Sequence, residues 1–277
     1  MSANLHTATV EGFGEEWARF EQNRLSEAEL QAWFERYFSL FPWSSLPPNA
    51  AGFDLGCGSG RWAQLVAPRV GALHCIDASS RALEVAKKNL ASQPNCEFHL
   101  ASVDSIPLED ASMDFGYSLG VLHHVPDTAA AIAASARKLK PGAPLLLYLY
   151  YRFDNRPAWF RALWSLSDMG RRRISRLPHR LRHLATDAIA AAVYLPLATA
   201  ARVAERAGVD VVQFPLAAYR HSSFYTMRTD ALDRFGTQLE QRFTRDEIES
   251  MMRAAGLVDI RFRDDVPYWC AVGTRKS

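Results

Sequence analysis

The spacing of apolar positions changes rhythm along the chain, and each rhythm predicts a different kind of element. Over residues 3–41, Trp17, Phe20, Leu25, Leu30, Trp33, Phe34, Tyr37 and Phe38 recur at three- and four-residue intervals between charged positions. This predicts helix as far as Pro42, with Pro47 and Pro48 as a linker. From Ala51, short apolar runs alternate with amphipathic stretches, predicting strands at 52–55, 72–76, 97–101, 114–118 and 144–151. Helices are predicted after Gly60, at 79–90 and at 128–139. Wholly apolar strands alternating with helices imply an α/β fold: a parallel sheet with helices on both faces.

The alternation stops over residues 152–241, which are Arg-rich and Ala-rich, and resumes after them. A helix is predicted at 244–255, with Thr244 as N-cap, Glu247 completing a capping box and Gly256 as the stop; strands follow at 258–263 and 268–274. The organisation expected is a helical leader (1–48), a core (49–151), an inserted helical cap (152–241) and a C-terminal part of the core sheet (242–277). The longest apolar stretch, 188–201, falls short of the roughly 20 residues of a spanning helix and contains Pro196, so it reads as a buried or partner-facing helix.

Composition narrows the function classes. A net charge of +2 is too small to predict nucleic acid as a partner. The first residues lack a basic segment followed by an apolar one, so a cytoplasmic protein is expected. Cys57, Cys75, Cys96 and Cys270 form no C-x-x-C pair, so neither a zinc site nor a disulfide framework is predicted, and no metal is implied.

The most informative residues run from Phe53 to Arg61, FDLGCGSGR. Glycines at a strand-to-helix turn let the backbone approach a ligand, and the following helix start offers unpaired amides. A dinucleotide site would need a further glycine where Arg61 stands, and Asp54 would repel a pyrophosphate while suiting a cationic ligand. Asp77 ends the next strand, where a carboxylate can accept from ribose hydroxyls; an N-cap of the following helix is its alternative role.

In four segments the chain resembles class I S-adenosylmethionine (SAM)-dependent methyltransferases, particularly the small-molecule group: 53–61, 75–79, 101–108 (ASVDSIPL) and 114–127 (DFGYSLGVLHHVPD), with KLKPGAPLLLYLY of 138–150 resembling the fifth strand. The resemblance implies a Rossmann-like sheet and SAM as cofactor. It implies that Gly56, Cys57, Gly58 and Gly60, with Arg61, cradle the methionine portion, that Asp54 lies near its ammonium, that Asp77 binds the ribose and that Ala78 packs near the adenine. The family's adenine-contacting acid is replaced at its aligned position by Ser102, so that contact carries over to Ser102, Val103 and Asp104; Ser118, Leu119 and Gly120 would face SAM through their backbone.

Methyl transfer from a sulfonium is an in-line displacement for which positioning does much of the work, and a base is needed only if the acceptor must lose a proton. His123 and His124 are candidates for that base or for a positioning role. Tyr151, Arg152 and Arg156 are candidate acceptor contacts. The cluster Arg152, Arg156, Arg161, Arg171, Arg172, Arg173, Arg176, Arg180 and Arg182 suits an anionic, lipid-linked or sugar-linked small molecule, peripheral contact with an anionic membrane, or simply a solvated face. Residues 221–234 line the acceptor site or pack the cap. Gly12, Phe13, Gly14 and Trp17 are read as a lid over SAM. Two other readings stand beside a methyltransferase: a SAM-binding protein without methyl transfer, and a nicotinamide oxidoreductase.

Overall fold

In a computed structural model, residues 4–20 and 26–276 are described. Strands β1 (Ala51–Leu55), β2 (Ala72–Asp77), β3 (Cys96–Leu100), β4 (Phe115–Leu119), β5 (Pro144–Tyr148), β6 (Leu257–Phe262) and β7 (Cys270–Arg275) form one sheet in the order β3-β2-β1-β4-β5-β7-β6. The first five run parallel, and β7 is inserted antiparallel between β5 and β6. Strand order reverses between β1 and β4, which opens a crevice beyond their carboxyl ends, the usual ligand position in such sheets.

The helices are α1 (Thr7–Arg19), α2 (Glu27–Tyr37), α3 (Ala63–Val66), α4 (Ser80–Asn89), α5 (Thr128–Lys138), α6 (Ala158–Ile174), α7 (His179–Ile189), α8 (Leu195–Arg206), α9 (Phe224–Gly236) and α10 (Arg245–Ala254). Strand alternation builds two apolar layers on the sheet. Phe53, Leu55, Ile76, Leu145 and Leu147 pack with Ile132 of α5 and with Ile248 and Met252 of α10. Leu73, Cys75, Phe115, Tyr117 and Leu146 pack with Leu83 of α4 and with Phe34 and Phe38. The connection from β3 to β4 carries no helix.

The chain divides into two compact units: residues 4–20, 30–152 and 239–276 form the sheet unit, and residues 26–29 and 153–238 the helical unit. In the helical unit α9 packs against α6 and α7 over a small core of Ala190, Tyr194, Ala198, Met227 and Ala231. Buried Asp168 collects Arg171 (2.6 Å) and Arg172 (2.9 Å), and Arg228 pairs with Asp187 through two hydrogen bonds of 3.0 and 2.9 Å.

Several boundaries differ from expectation for identifiable reasons. The N-terminal helical run is two helices, and of it residues 3 and 21–25, including Leu25, lie outside the described residues. The helix after Gly60 is a single turn continued as a 3-10 turn at Ala67–Arg69, where Pro68 removes a donor. Strand β5 stops at Tyr148, three residues early, and Tyr151 then makes an isolated bridge with Phe243. Pro196 does not break the apolar stretch: a π-helical segment, Ala190–Tyr194, lies where the proline would disturb the helix, so α7 to α8 is one continuous helix, His179–Arg206, of 28 residues. By length and composition alone it is long and apolar enough to cross a membrane, which corrects the expectation that this stretch is too short.

Candidate active site

The glycine-rich turn leaves β1 at the switch point and is tied to β2: the Gly56 and Cys57 amides both donate to the Ile76 carbonyl, at 2.7 and 3.0 Å. Gly58 has a φ of +54°, and a Cβ there would lie 2.9 Å from the Trp17 indole. Asp77 braces the same turn, its Oδ2 accepting from the Gly58 amide at 2.9 Å and its Oδ1 from the Ser79 amide at 2.8 Å. Each oxygen keeps a further lone pair for a ribose hydroxyl. Ser79, not Asp77, caps α4, which disposes of the alternative role. Burial raises the Asp77 pKa against the opposing hydrogen bonds from Ser79, Gly58 and Ala78.

Asp54 is buried at the end of β1. Burial pushes its carboxyl up to about 8; the neighbouring Tyr117 hydroxyl lowers it and Asp77 raises it further. The Asp54–Tyr117 approach falls short of a full hydrogen bond: among the described residues Asp54 Oδ2 and Tyr117 OH are both buried without a hydrogen-bond partner. A cationic group would satisfy that oxygen and restore the carboxylate. Gly120, at the end of β4, has a φ of +79° and open space where a Cβ would stand. The unsatisfied Asp54 oxygen, the braced turn and the spare lone pairs of Asp77 together fit a cationic nucleoside such as SAM.

Helix α1 lies across these elements. Trp17 covers Gly58, and Gly14 allows close approach to α4, since a Cβ there would be 2.5 Å from Ser79 Oγ. Phe13 packs on His124 with ring centres 4.9 Å apart. The Asn4 amide donates to Asp104 (2.8 Å), its side-chain NH2 donates to the Asp127 carbonyl (2.7 Å), and its Oδ1 accepts from the Asp127 amide (2.6 Å). The leader is therefore regular helix at Gly12 and Gly14, and Gly14 serves contact, not flexibility.

The remaining residues singled out from sequence separate into two groups. Leu119 and Gly120 stand at the switch point, Val103 is buried, and Ser102 Oγ lies 3.2 Å from Ser105 Oγ. His123 is fully buried and stacked on Tyr150 (3.8 Å), with neither ring nitrogen hydrogen-bonded among the described residues. Burial, then the neighbouring His124 and Arg242, hold its pKa well below 6.5, so it stays neutral and is a weak base. His124 Nδ1 donates to the Leu239 carbonyl at 2.7 Å, which anchors the ring. The other group is engaged elsewhere. Arg61 lies over Trp62 (4.3 Å), Tyr151 packs on Tyr268 (5.3 Å), and Arg152 pairs with Glu247 (2.9 Å). Arg156, in the helical unit, donates to the Val212 carbonyl and to Gln213.

Sequence reading missed Asn4 and Tyr117. Tyr117 meets Asp54 because parallel pairing sets these two residues in register, and no local motif records that. It also missed that Cys57, Cys75 and Cys96 approach one another. Contact with Cys75 lowers the Cys57 pKa most, but burial and the charges of Asp77 and Asp54 together outweigh it and the thiol is pushed up to about 11; contact with Cys57 raises Cys75, and contact with Cys75 raises Cys96. All three remain uncharged thiols.

Residues 53–147 match the methyltransferase domain family. Among curated relatives, a ubiquinone biosynthesis O-methyltransferase of Xanthomonas oryzae pv. oryzae is 34% identical over 139 residues, 49% of this chain and 55% of that protein. A phosphoethanolamine N-methyltransferase 2 of Caenorhabditis elegans is 31% identical over 106 residues, 37% of this chain and 24% of that protein. The matches thus span a quarter to about half of those relatives. A Haloferax volcanii methyltransferase, solved with the Trm112 activator, shares the fold at a TM-score of 0.53 and 14% identity, over 96% of this chain and 98% of that one. With the family match covering the glycine turn, Asp77 and the switch point, the chain carries a class I SAM-dependent methyltransferase domain on a Rossmann-like sheet.

Proposed function

We propose that the protein transfers the SAM methyl group to a lipid-linked small molecule met at an anionic membrane surface. The observation that carries this reading is the orientation of α6. Trp159, Leu163, Leu166 and Met169 form its exposed stripe, with Leu166 65% exposed, while Asp168 and Arg171 face inward. Helix α7 repeats the pattern, burying Arg182 and Thr186 and exposing Leu181 and Leu184. Among the described residues every exposed large hydrophobic side chain except Leu100 lies within 153–238. Exposed Arg161, Arg172, Arg173, Arg176 and Arg180 accompany the stripe. Apolar side chains beside arginines suit the interface of a bilayer carrying anionic headgroups. In this reading the α7–α8 helix lies along the surface, with Ala190, Tyr194 and Ala198 buried in the core of its own unit.

The family match covers residues 53–147 and neither segment of this unit, so acceptor choice is not inherited with the donor site. Bound SAM supplies a methyl group on a sulfonium. Asp54 would hold the ammonium end of the donor and Asp77 its ribose, with the glycine turn fixing its position. His123, neutral and with neither ring nitrogen hydrogen-bonded among the described residues, orients the acceptor by a hydrogen bond. Catalysis by positioning agrees with a histidine too weakly basic to accept a proton readily.

The test is partition of label. Protein incubated with methyl-labelled SAM and a total membrane extract should place the methyl group in the organic phase. Label found only in water-soluble products would overturn the lipid-linked acceptor. In parallel, the protein should sediment with phosphatidylglycerol vesicles, less so as salt rises, and Leu163→Glu with Leu166→Glu should abolish this. Equal sedimentation with phosphatidylcholine, or a self-associating protein that ignores vesicles, would remove the anionic surface.

A further inference from the structure

Two histidines and a glutamate meet on the open face of the sheet's edge. Strands β2 and β3 pair in parallel with His74 opposite Glu97 and Ile76 opposite His99, so all three side chains fall on one face. His74 Nδ1 lies 3.1 Å from His99 Nε2 and 3.4 Å from Glu97 Oε2, and His99 Nε2 lies 4.0 Å from that same oxygen. One ligand atom from each of the three side chains lies within 4.8 Å of the other two.

These separations match a metal's coordination sphere. Bonds of about 2.0–2.1 Å at the tetrahedral angle hold ligand atoms roughly 3.3 Å apart, so one ion can reach all three atoms with small side-chain adjustments. Two imidazoles and a carboxylate suit zinc and its neighbours among the divalent transition metals. Solvent reaches the group, with side-chain exposures of 15% for His74, 25% for His99 and 60% for Glu97, so water can supply the fourth ligand. The opening follows from the topology: the β3–β4 connection brings no helix onto this face, whereas α4 covers the other face through Leu83 and Ala86.

We propose that His74, Glu97 and His99 bind one zinc-class divalent ion that clips the edge strand β3 to β2. Each imidazole then presents a lone pair to the ion and carries its proton on the other nitrogen, and Glu97 binds as the carboxylate. The site lies apart from methyl transfer, since His74 precedes Asp77 by three residues, about 10 Å along a strand. Its effect is on the sheet edge. Among the described residues no strand pairs with the outer side of β3, and the segment leaving it carries Ser102, Val103 and Asp104. Fixing β3 to β2 through side chains adds to the backbone ladder at an edge of the sheet.

The experiment uses full-length protein stripped with chelator and titrated with zinc, following thermal unfolding and calorimetry. One ion should bind per chain and raise the unfolding temperature, because a ligand that binds only the native state stabilises it by mass action. His99→Ala should weaken binding by more than the roughly 10–100-fold that loss of an outer-sphere partner costs, and should remove the thermal shift. Glu97→Gln, at the most exposed of the three positions, should weaken binding and leave circular dichroism unchanged, so a loss of fold is not mistaken for a loss of ligand. Cobalt supplies a second reading. Its visible absorption without thiolate charge transfer supports nitrogen and oxygen ligation, whereas intense near-ultraviolet charge transfer would move the ion to Cys75 and Cys96 and overturn the proposal. An unchanged affinity in His99→Ala, or no binding by the unsubstituted protein, would also overturn it.

Discussion

Asp54→Asn should make the apo protein more stable while weakening donor binding, and the pH dependence of the stability gain is the informative part. The Asp54 carboxyl is buried at the end of β1, with its pKa raised from 3.8 to about 8 chiefly by burial. A raised carboxyl pKa means that this group's contribution to stability is fully present below about pH 4 and is lost progressively as pH rises through about 8. At pH 7 the folded protein keeps a proton that the unfolded chain has released. At about 1.36 kcal/mol per pH unit the gap from 3.8 costs the folded state on the order of 4 kcal/mol at pH 7, and under about 2 kcal/mol at pH 5, both as upper limits. Asparagine keeps the shape and its own hydrogen-bonding groups beside Tyr117 but does not titrate. Urea unfolding of both proteins at pH 5 and pH 7.5 should therefore show the variant's advantage growing with pH. S-adenosylhomocysteine, which keeps the ammonium, should bind the variant more weakly by about 1.5–3 kcal/mol, the usual worth of a charge-assisted contact. A stability difference that is constant with pH, or larger at pH 5, would refute the account of Asp54 as a desolvated carboxyl awaiting a cation.

Asp77→Ala should weaken S-adenosylhomocysteine binding by about 1.5–3 kcal/mol in calorimetry, and should also loosen the turn it braces, seen as faster amide exchange at Gly58. Gly58→Ala should cost stability by about 1–3 kcal/mol in denaturant titration, since alanine would be held at positive φ against Trp17. Trp17→Ala should leave the unfolding midpoint nearly unchanged yet increase the donor dissociation rate in stopped flow, and an unchanged rate would deny α1 a covering role. His124→Ala should lower stability and spare donor affinity, because the ring is anchored to the Leu239 carbonyl and to Phe13.

The parts of this protein legible in its sequence are those set by neighbours along the chain. Asp54 to Gly60 announce a ligand turn because glycine accepts positive φ most readily, and Thr244 with Glu247 form their capping box as the spacing requires. What stayed hidden depends on lateral register. Asp54 meets Tyr117, Cys57 meets Cys75, and His74 meets Glu97 and His99 only once β1, β2, β3 and β4 are aligned side by side. The pair Glu97 and His99 share a face by strand alternation, but nothing local places His74 opposite them. The sequence likewise shows that α6 has an apolar stripe without showing which side faces out; the buried Asp168–Arg171 pair decides it. The arginine cluster divides for the same reason, Arg171 and Arg182 being buried while Arg172, Arg173 and Arg176 are exposed.

The central claim is that the turn from Gly56 to Gly60, braced by Asp77 and faced by Asp54, is a SAM site. Calorimetric titration of the purified protein with SAM, S-adenosylhomocysteine and NAD in parallel tests it most directly. The account predicts one site per chain for each of the two adenosyl sulfur ligands, weakened in Asp77→Ala, and no heat with NAD. Binding of NAD alone would contradict it.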